Sequence, residues 1–215
     1  MKERPILFNG AMVRALLDGS KSQTRRIVKG ERASRGLESG WYLKPYGFVN
    51  DRQFAKAACR CGQPGDQLWV RETWQHSNHH YGPADQSCAI FYRADYWDDP
   101  HGMDGEKSPE GKYREWRPSI HMPRWASRIT LEIVGVRVER LQDISYEDAL
   151  AEGVSDMSAL LHDEWKPLEG ESGNDCARRL RWPQRLYKQL WESINGKGSW
   201  DATPWVFVIE FRRLP

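Results

Sequence analysis

Two hydrophobic periods alternate along the 215 residues of this chain. Near the N-terminus, Ala11, Met12, Ala15 and Leu16 recur at helical spacing. Asn9 precedes them as an N-cap, and Gly19 follows as the residue able to turn the chain out of a helix. Thr24-Arg25-Arg26-Ile27-Val28 then reads as a strand. Residues 30–63 are polar and glycine-bearing, and only Trp41–Val49 looks strand-like among them. Pro64-Gly65-Asp66 predicts a turn into a strong strand over Gln67–Trp74. Residues 76–118 hold histidines, acidic turns and many glycines and prolines. They are expected to form an insertion, with a strand at Ile90–Ala94 the one element inside it.

Order resumes at Ser119. Ile129–Val138 alternates apolar and polar positions as a long strand, with Gly135 a place for a kink or bulge. Ser145 predicts the N-cap of a helix over Tyr146–Ala151, with Asp148 three residues on and Gly153 as its end. Residues 166–175 read as loop. Pro183 opens a helix over Gln184–Ile194, whose Leu186, Leu190, Trp191 and Ile194 share a face, and Asn195-Gly196 stops it. Trp205–Phe211 is a β-branched and aromatic run, the pattern of a central strand. The alternation predicts an α+β fold, a small mixed barrel with three or four helices outside. The length suits one domain over 1–215, with the insertion at about 76–118.

Charge changes the picture little. Lys+Arg 32 against Asp+Glu 30 leaves +2, so any nucleic-acid-binding surface must be local. Arg14, Lys21, Arg25, Arg26, Lys29 and Arg32 make one such span, with only Asp18 and Glu31 against them. Nothing apolar follows Met1-Lys2-Glu3-Arg4-Pro5 that would read as a secretory signal, and no run of about 18 apolar residues predicts a membrane span. Cys59, Cys61, Cys88 and Cys176 are then most simply reduced thiols, and the expected location is cytoplasmic. Most of the 11 tryptophans lie in periodic segments and read as packing. Trp116, His121 and Trp125 could instead contact a base.

Candidate chemistry concentrates in Gly19-Ser20-Lys21-Ser22-Gln23-Thr24-Arg25-Arg26. An amine beside a hydroxyl can cleave an amide, and a guanidinium can hold an oxyanion or a phosphate. Strand neighbours face opposite sides, so one of Arg25 and Arg26 should point inward. The pattern Gly19-x-Lys21-x-x-Thr24-x-Arg26 resembles the signature of the ASCH domain, a PUA-like β-barrel family whose usual form has glutamate where Thr24 stands. With threonine there, it is similar to bacterial ASCH proteins that hydrolyse N(4)-acetylcytidine. Gly65–Glu72, Ile144–Gly153, Asn195-Gly196-Lys197 with Pro204-Trp205-Val206, and Arg4–Phe8 resemble phage- or prophage-encoded ASCH-like proteins.

That resemblance implies a PUA-like barrel with peripheral helices and loop insertions, and an amidohydrolase acting on N(4)-acylated cytidine or a related nucleoside. It carries the catalytic lysine and threonine onto Lys21 and Thr24. The catalytic glutamate falls on Glu152, ahead of Glu147, with Glu72 as a third candidate on a strand facing the same cavity. Arg26, Arg25 and Glu72 are the expected substrate-binding residues. Either Thr24 attacks the acyl carbonyl, or a water does while Thr24 holds the substrate; Lys21 and Glu152 both remain candidates for the base. The alternative from another class is an RNA-binding PUA-like module, a type in which ribonuclease activity also occurs.

No cofactor is expected, and no metal. His76, His79, His80, Asp85, Cys88 and His101 fit no strong zinc spacing, and Cys59-x-Cys61 lacks a second pair. Neither a glycine-rich phosphate loop nor a Gly-x-Ser-x-Gly elbow occurs. The oligomeric state is not legible.

Overall fold

A computed structural model of the chain describes residues 1–28, 41–43, 47–77, 83–96, 116–154 and 170–215. In chain order the elements are β1 (Glu3–Leu7), α1 (Gly10–Leu17), β2 (Gln23–Ile27), β3 (Trp41–Leu43), β4 (Gly47–Val49), α2 (Asp51–Ala58), β5 (Gln67–Arg71), β6 (Trp74–His76) and β7 (Ile90–Tyr92). There follow β8 (Thr130–Arg140), α3 (Tyr146–Ala151), α4 (Gly173–Arg179), α5 (Trp182–Asn195) and β9 (Trp205–Arg213). A sheet of order β1-β5-β8-β9-β2 and two hairpin pairs, β3-β4 and β6-β7, make the class mixed α+β.

The residues divide into two compact units. The first comprises Met1–Asp18, Gly65–Glu132 and Arg212–Pro215. In it β1 runs parallel to β5, with Ile6 opposite Val70, and β5 runs antiparallel to β8, with Leu68 opposite Leu131. Their buried side chains join Phe8, Val13 and Leu16 in the core. Asn9 caps α1, its side chain accepting from the Met12 amide at 2.9 Å, and Gly19 takes φ +83° beyond the helix end. Trp74, Met122 and Ala126 form a separate cluster against Ile90 and Tyr92.

The predicted strand Gln67–Trp74 ends at Arg71, and β6 starts afresh at Trp74 in a pairing with β7. The break falls at Glu72, whose amide donates to Met122 Sδ at 3.4 Å instead of to a strand. The strand expected at Ile90–Ala94 stops at Tyr92 and tightens into a 3-10 turn over Arg93–Tyr96.

The second unit comprises Gly19–Pro64 and Ile133–Phe211. Here β2 pairs antiparallel with β9, Thr24 opposite Ile209. Val206 and Val208 of β9 pack with Leu141, Ile144 and Ala149 and with Tyr187 and Trp191 of α5. Residues 30–63 also contain α2, unseen in the apolar pattern because among its described side chains it buries only Phe54 and Ala55. Its start is nonetheless written locally, as a reciprocal capping box between Asn50 and Gln53. Within the stretch read as loop, Ser172 caps α4 through the Asp175 amide. Strand β8 runs unbroken through Gly135, the place expected for a kink or bulge, and a Cβ there would displace the end of the Glu210 side chain.

Candidate functional site

The turn after α1 delivers Lys21 to the end of α3. Lys21 and Glu152 form an isolated antiparallel bridge, and the Ser22 amide donates to the Ala151 carbonyl at 2.9 Å. Lys21 Nζ donates to the Glu152 carbonyl oxygen at 2.9 Å and to its Oε2 at 3.0 Å. Both side chains are shut from solvent, at 0% and 1% exposure. Glu152 is the C-cap of α3, which starts on the Ser145 cap as expected.

Arg25 completes the group. Its Nη1 donates to Glu152 Oε1 at 2.9 Å, and its Nη2 to Glu139 Oε1 at 2.6 Å and Asp148 Oδ2 at 3.1 Å. Arg137 of β8 shares those acids, donating from Nη2 to Asp148 Oδ2 at 2.7 Å and from Nε to Glu139 Oε2 at 3.2 Å. It also pairs with Glu210. Gln23 Nε2 donates to the Asp148 carbonyl at 2.8 Å, and the Arg25 guanidinium lies 5.7 Å from the centre of the Tyr187 ring.

The electrostatics follow from burial. Desolvation pushes the Lys21 amine below its ordinary pKa, and Glu152 opposes that only in part. Burial acts in the same direction on Arg25, but Glu152 and Glu139 outweigh it and hold the guanidinium above its usual value. Burial alone would raise Asp148; Arg137 and Arg25 overcome it and keep the carboxyl below the ordinary aspartate range. Desolvation lifts the Tyr187 phenol well above its normal pKa, with Glu152 adding to the shift.

Of the sequence candidates, Lys21, Glu152 and Arg25 meet at hydrogen-bond distance. Thr24 is 2% exposed and sits between Gln23 and Arg25 on β2. Strand alternation turns it and Arg26 to the face opposite Gln23 and Arg25. Among the described residues, no hydrogen bond joins the Thr24 hydroxyl to Lys21 or Glu152. Glu147 is exposed and paired with Arg178 at 2.8 Å. Glu72 belongs to the first unit, where Arg128 grips both its oxygens at 3.0 Å and also holds Asp95. Burial raises the Glu72 pKa against the pull of Arg128.

Glu139, Asp148, Arg137 and Tyr187 escaped the sequence reading as site residues. Signals for some of them existed: Asp148 and Glu152 stand at i, i+4, one face of a helical turn, and Arg137 and Glu139 at i, i+2, one face of a strand.

His76 is buried with Nε2 3.0 Å from Arg117 Nη1, while His79, His80 and His101 lie outside the described residues. Trp116 stacks with Tyr96, and Trp125 packs edge-on against Trp74. The cysteines are free thiols. Among the described residues no group of three His, Cys, Asp or Glu could hold a metal ion, and no helix is long and apolar enough to cross a membrane.

No family model matches the chain, and no curated protein matches it significantly. A solved structure similar to it is the ASCH domain from Lactobacillus crispatus JV V101, at 12% identity and a TM-score of 0.39, covering 99% of this chain and 79% of that one.

Proposed function

We propose that this chain is an ASCH-type amidohydrolase of PUA-like barrel fold that removes the acyl group from N(4)-acylated cytidine or a related nucleoside, with Lys21 and Glu152 as its proton-transfer pair. The observation that carries the reading is the Lys21–Glu152 contact, 3.0 Å long and fully buried. Lysine and glutamate are rarely buried completely, and removing two charges from water costs several kcal/mol per ion before their attraction offsets it. A lysine with a depressed pKa beside a carboxylate is an arrangement found where protons are moved.

In this reading a water attacks the acyl carbonyl, because the Thr24 hydroxyl has no hydrogen bond to either base. The pair takes the water's proton and returns one to N4 as the C–N bond breaks, releasing the carboxylic acid and the cytidine amine. Thr24 and Arg26 share the face of β2 opposite Arg25, so neither is given a part in the proton transfer. Arg25 acts through Glu152, holding its carboxylate in place.

The closed pair must open to admit substrate. Amide exchange at Ser22 and Glu152 faster than global unfolding is the expected sign of that opening. The decisive experiment incubates the purified protein with N(4)-acetylcytidine and follows cytidine by chromatography. Turnover lost in folded Lys21→Met and Glu152→Gln supports the proposal; no turnover by the wild type over a panel of acyl-cytosines removes it.

A further inference from the structure

We propose that the groove lined by Arg179, Arg181, Arg185, Lys188, Gln142 and Trp200 binds a nucleotide, its phosphate on the guanidinium of Arg181 and its base against Trp200. The groove lies wholly in the second unit, and the inference does not rest on the hydrolase reading.

The volume, about 380 Å³, is that of a small-ligand pocket. Charge comes next. Four cationic side chains line the groove and no acid does, and no Asp or Glu occurs from Cys176 through Trp191. In a chain of net charge +2 this is a local concentration of positive potential. Two of the cations are tied to neighbouring acids. Glu171 takes the Arg179 fork at 2.8 and 2.9 Å, and Asp201 lies 3.3 Å from Lys188. The Arg181 side chain is exposed and makes no ion pair or hydrogen bond among the described residues.

Arg181 is also strained. Its backbone sits at φ 52° and ψ 42°, the left-handed region that glycine occupies without steric cost. The fold therefore keeps a guanidinium where glycine would serve local geometry better, as happens where a side chain has work beyond folding. A planar fork of this kind matches phosphate oxygens.

Trp200 supplies the second half of the recognition. The ring is half-buried and braced edge-on by Tyr187 at 6.1 Å, and its carbonyl accepts from Gln142 Nε2 at 3.1 Å. A ring fixed in this way beside cations suits stacking on a base.

A free nucleotide and a nucleotide unit of single-stranded RNA present the same chemistry. The test titrates the whole chain by calorimetry at low salt with CMP, with inorganic phosphate, and with an oligouridylate of about ten nucleotides. CMP is expected to bind, with phosphate alone about tenfold weaker. Arg181→Gly should lose about tenfold in CMP affinity while melting no lower than the wild type, which separates lost binding from lost folding. Arg185→Gln serves as a second charge variant with ordinary helical backbone. Trp200→Ala should weaken CMP and leave phosphate unchanged. An oligonucleotide about tenfold tighter than CMP would support the site with the polymer as its source, and equal affinity would support it with the free nucleotide. No binding of CMP or oligonucleotide, or binding equally tight in Arg181→Gly and Arg185→Gln, overturns the proposal.

Discussion

At the scale of single residues, the behaviour of Lys21 and Glu152 is decided by who remains when one is removed. Glu152 has two cationic partners, Lys21 on Oε2 and Arg25 on Oε1. Lys21 loses the opposite charge at Oε2 if the carboxylate is neutralised, while its bond to the Glu152 carbonyl oxygen stays. Glu152→Gln should therefore cost more, about 3–5 kcal/mol, because it removes the negative charge that both a buried ammonium and a buried guanidinium face. Lys21→Met should cost about 1–3 kcal/mol, since Arg25 still pairs with Glu152. Urea denaturation of the two variants checks the order, and equal losses would show that Arg25 does not compensate. The lowered Lys21 pKa also makes a kinetic prediction. If the neutral amine is the base, hydrolysis should rise with pH through a value below the ordinary 10.5, and Lys21→Met should abolish that limb of the profile.

Short helices set the geometry at the next scale up. Helix α3 spans only Tyr146–Ala151, yet it carries Asp148 and, at its C-cap, Glu152. So short a helix has little stability of its own and depends on packing and on its cap. The Ser145 hydroxyl accepts from the Asp148 amide at 3.0 Å. Ser145→Ala should cost about 1 kcal/mol, lowering Tm by roughly 2–4 °C by calorimetry. Hydrolysis should fall by more than that loss of folded protein explains, because the carboxylate loses its fixed position. Legibility at this scale followed the length of the apolar pattern. Helix α5 and strands β8 and β9 carry long patterns and were readable. Helices α2 and α4 announce themselves only through Asn50-x-x-Gln53 and Ser172-x-x-Asp175, and four polar residues do not outweigh a polar surrounding sequence.

For the whole molecule, acid stability should divide between two carboxyl groups of opposite sign. Asp148 has a folded pKa below its ordinary 3.8. Its stabilisation is complete above that value and disappears as pH falls through the folded one. Glu72 has a folded pKa above its ordinary 4.5, so its burial penalty is present at neutral pH and is relieved as pH falls through the raised value. In chemical denaturation across the acid range, Asp148→Asn should flatten the lowest-pH limb, and Glu72→Gln should remove the opposing slope above about 4.5. A wild-type slope retained in both variants would place the acid response elsewhere. Periodicity and caps in the sequence were enough to determine most elements and the α+β class, because these are local choices of backbone and neighbouring side chains. The motif Gly19–Arg26 marked the right place on the chain, and alternation said that one of Arg25 and Arg26 turns inward. Only the tertiary structure decided that it is Arg25, and that Glu139, Asp148 and Arg137 surround it. Those outcomes depend on which strand lies against β2 and where α3 ends, long-range pairings between residues more than a hundred positions apart.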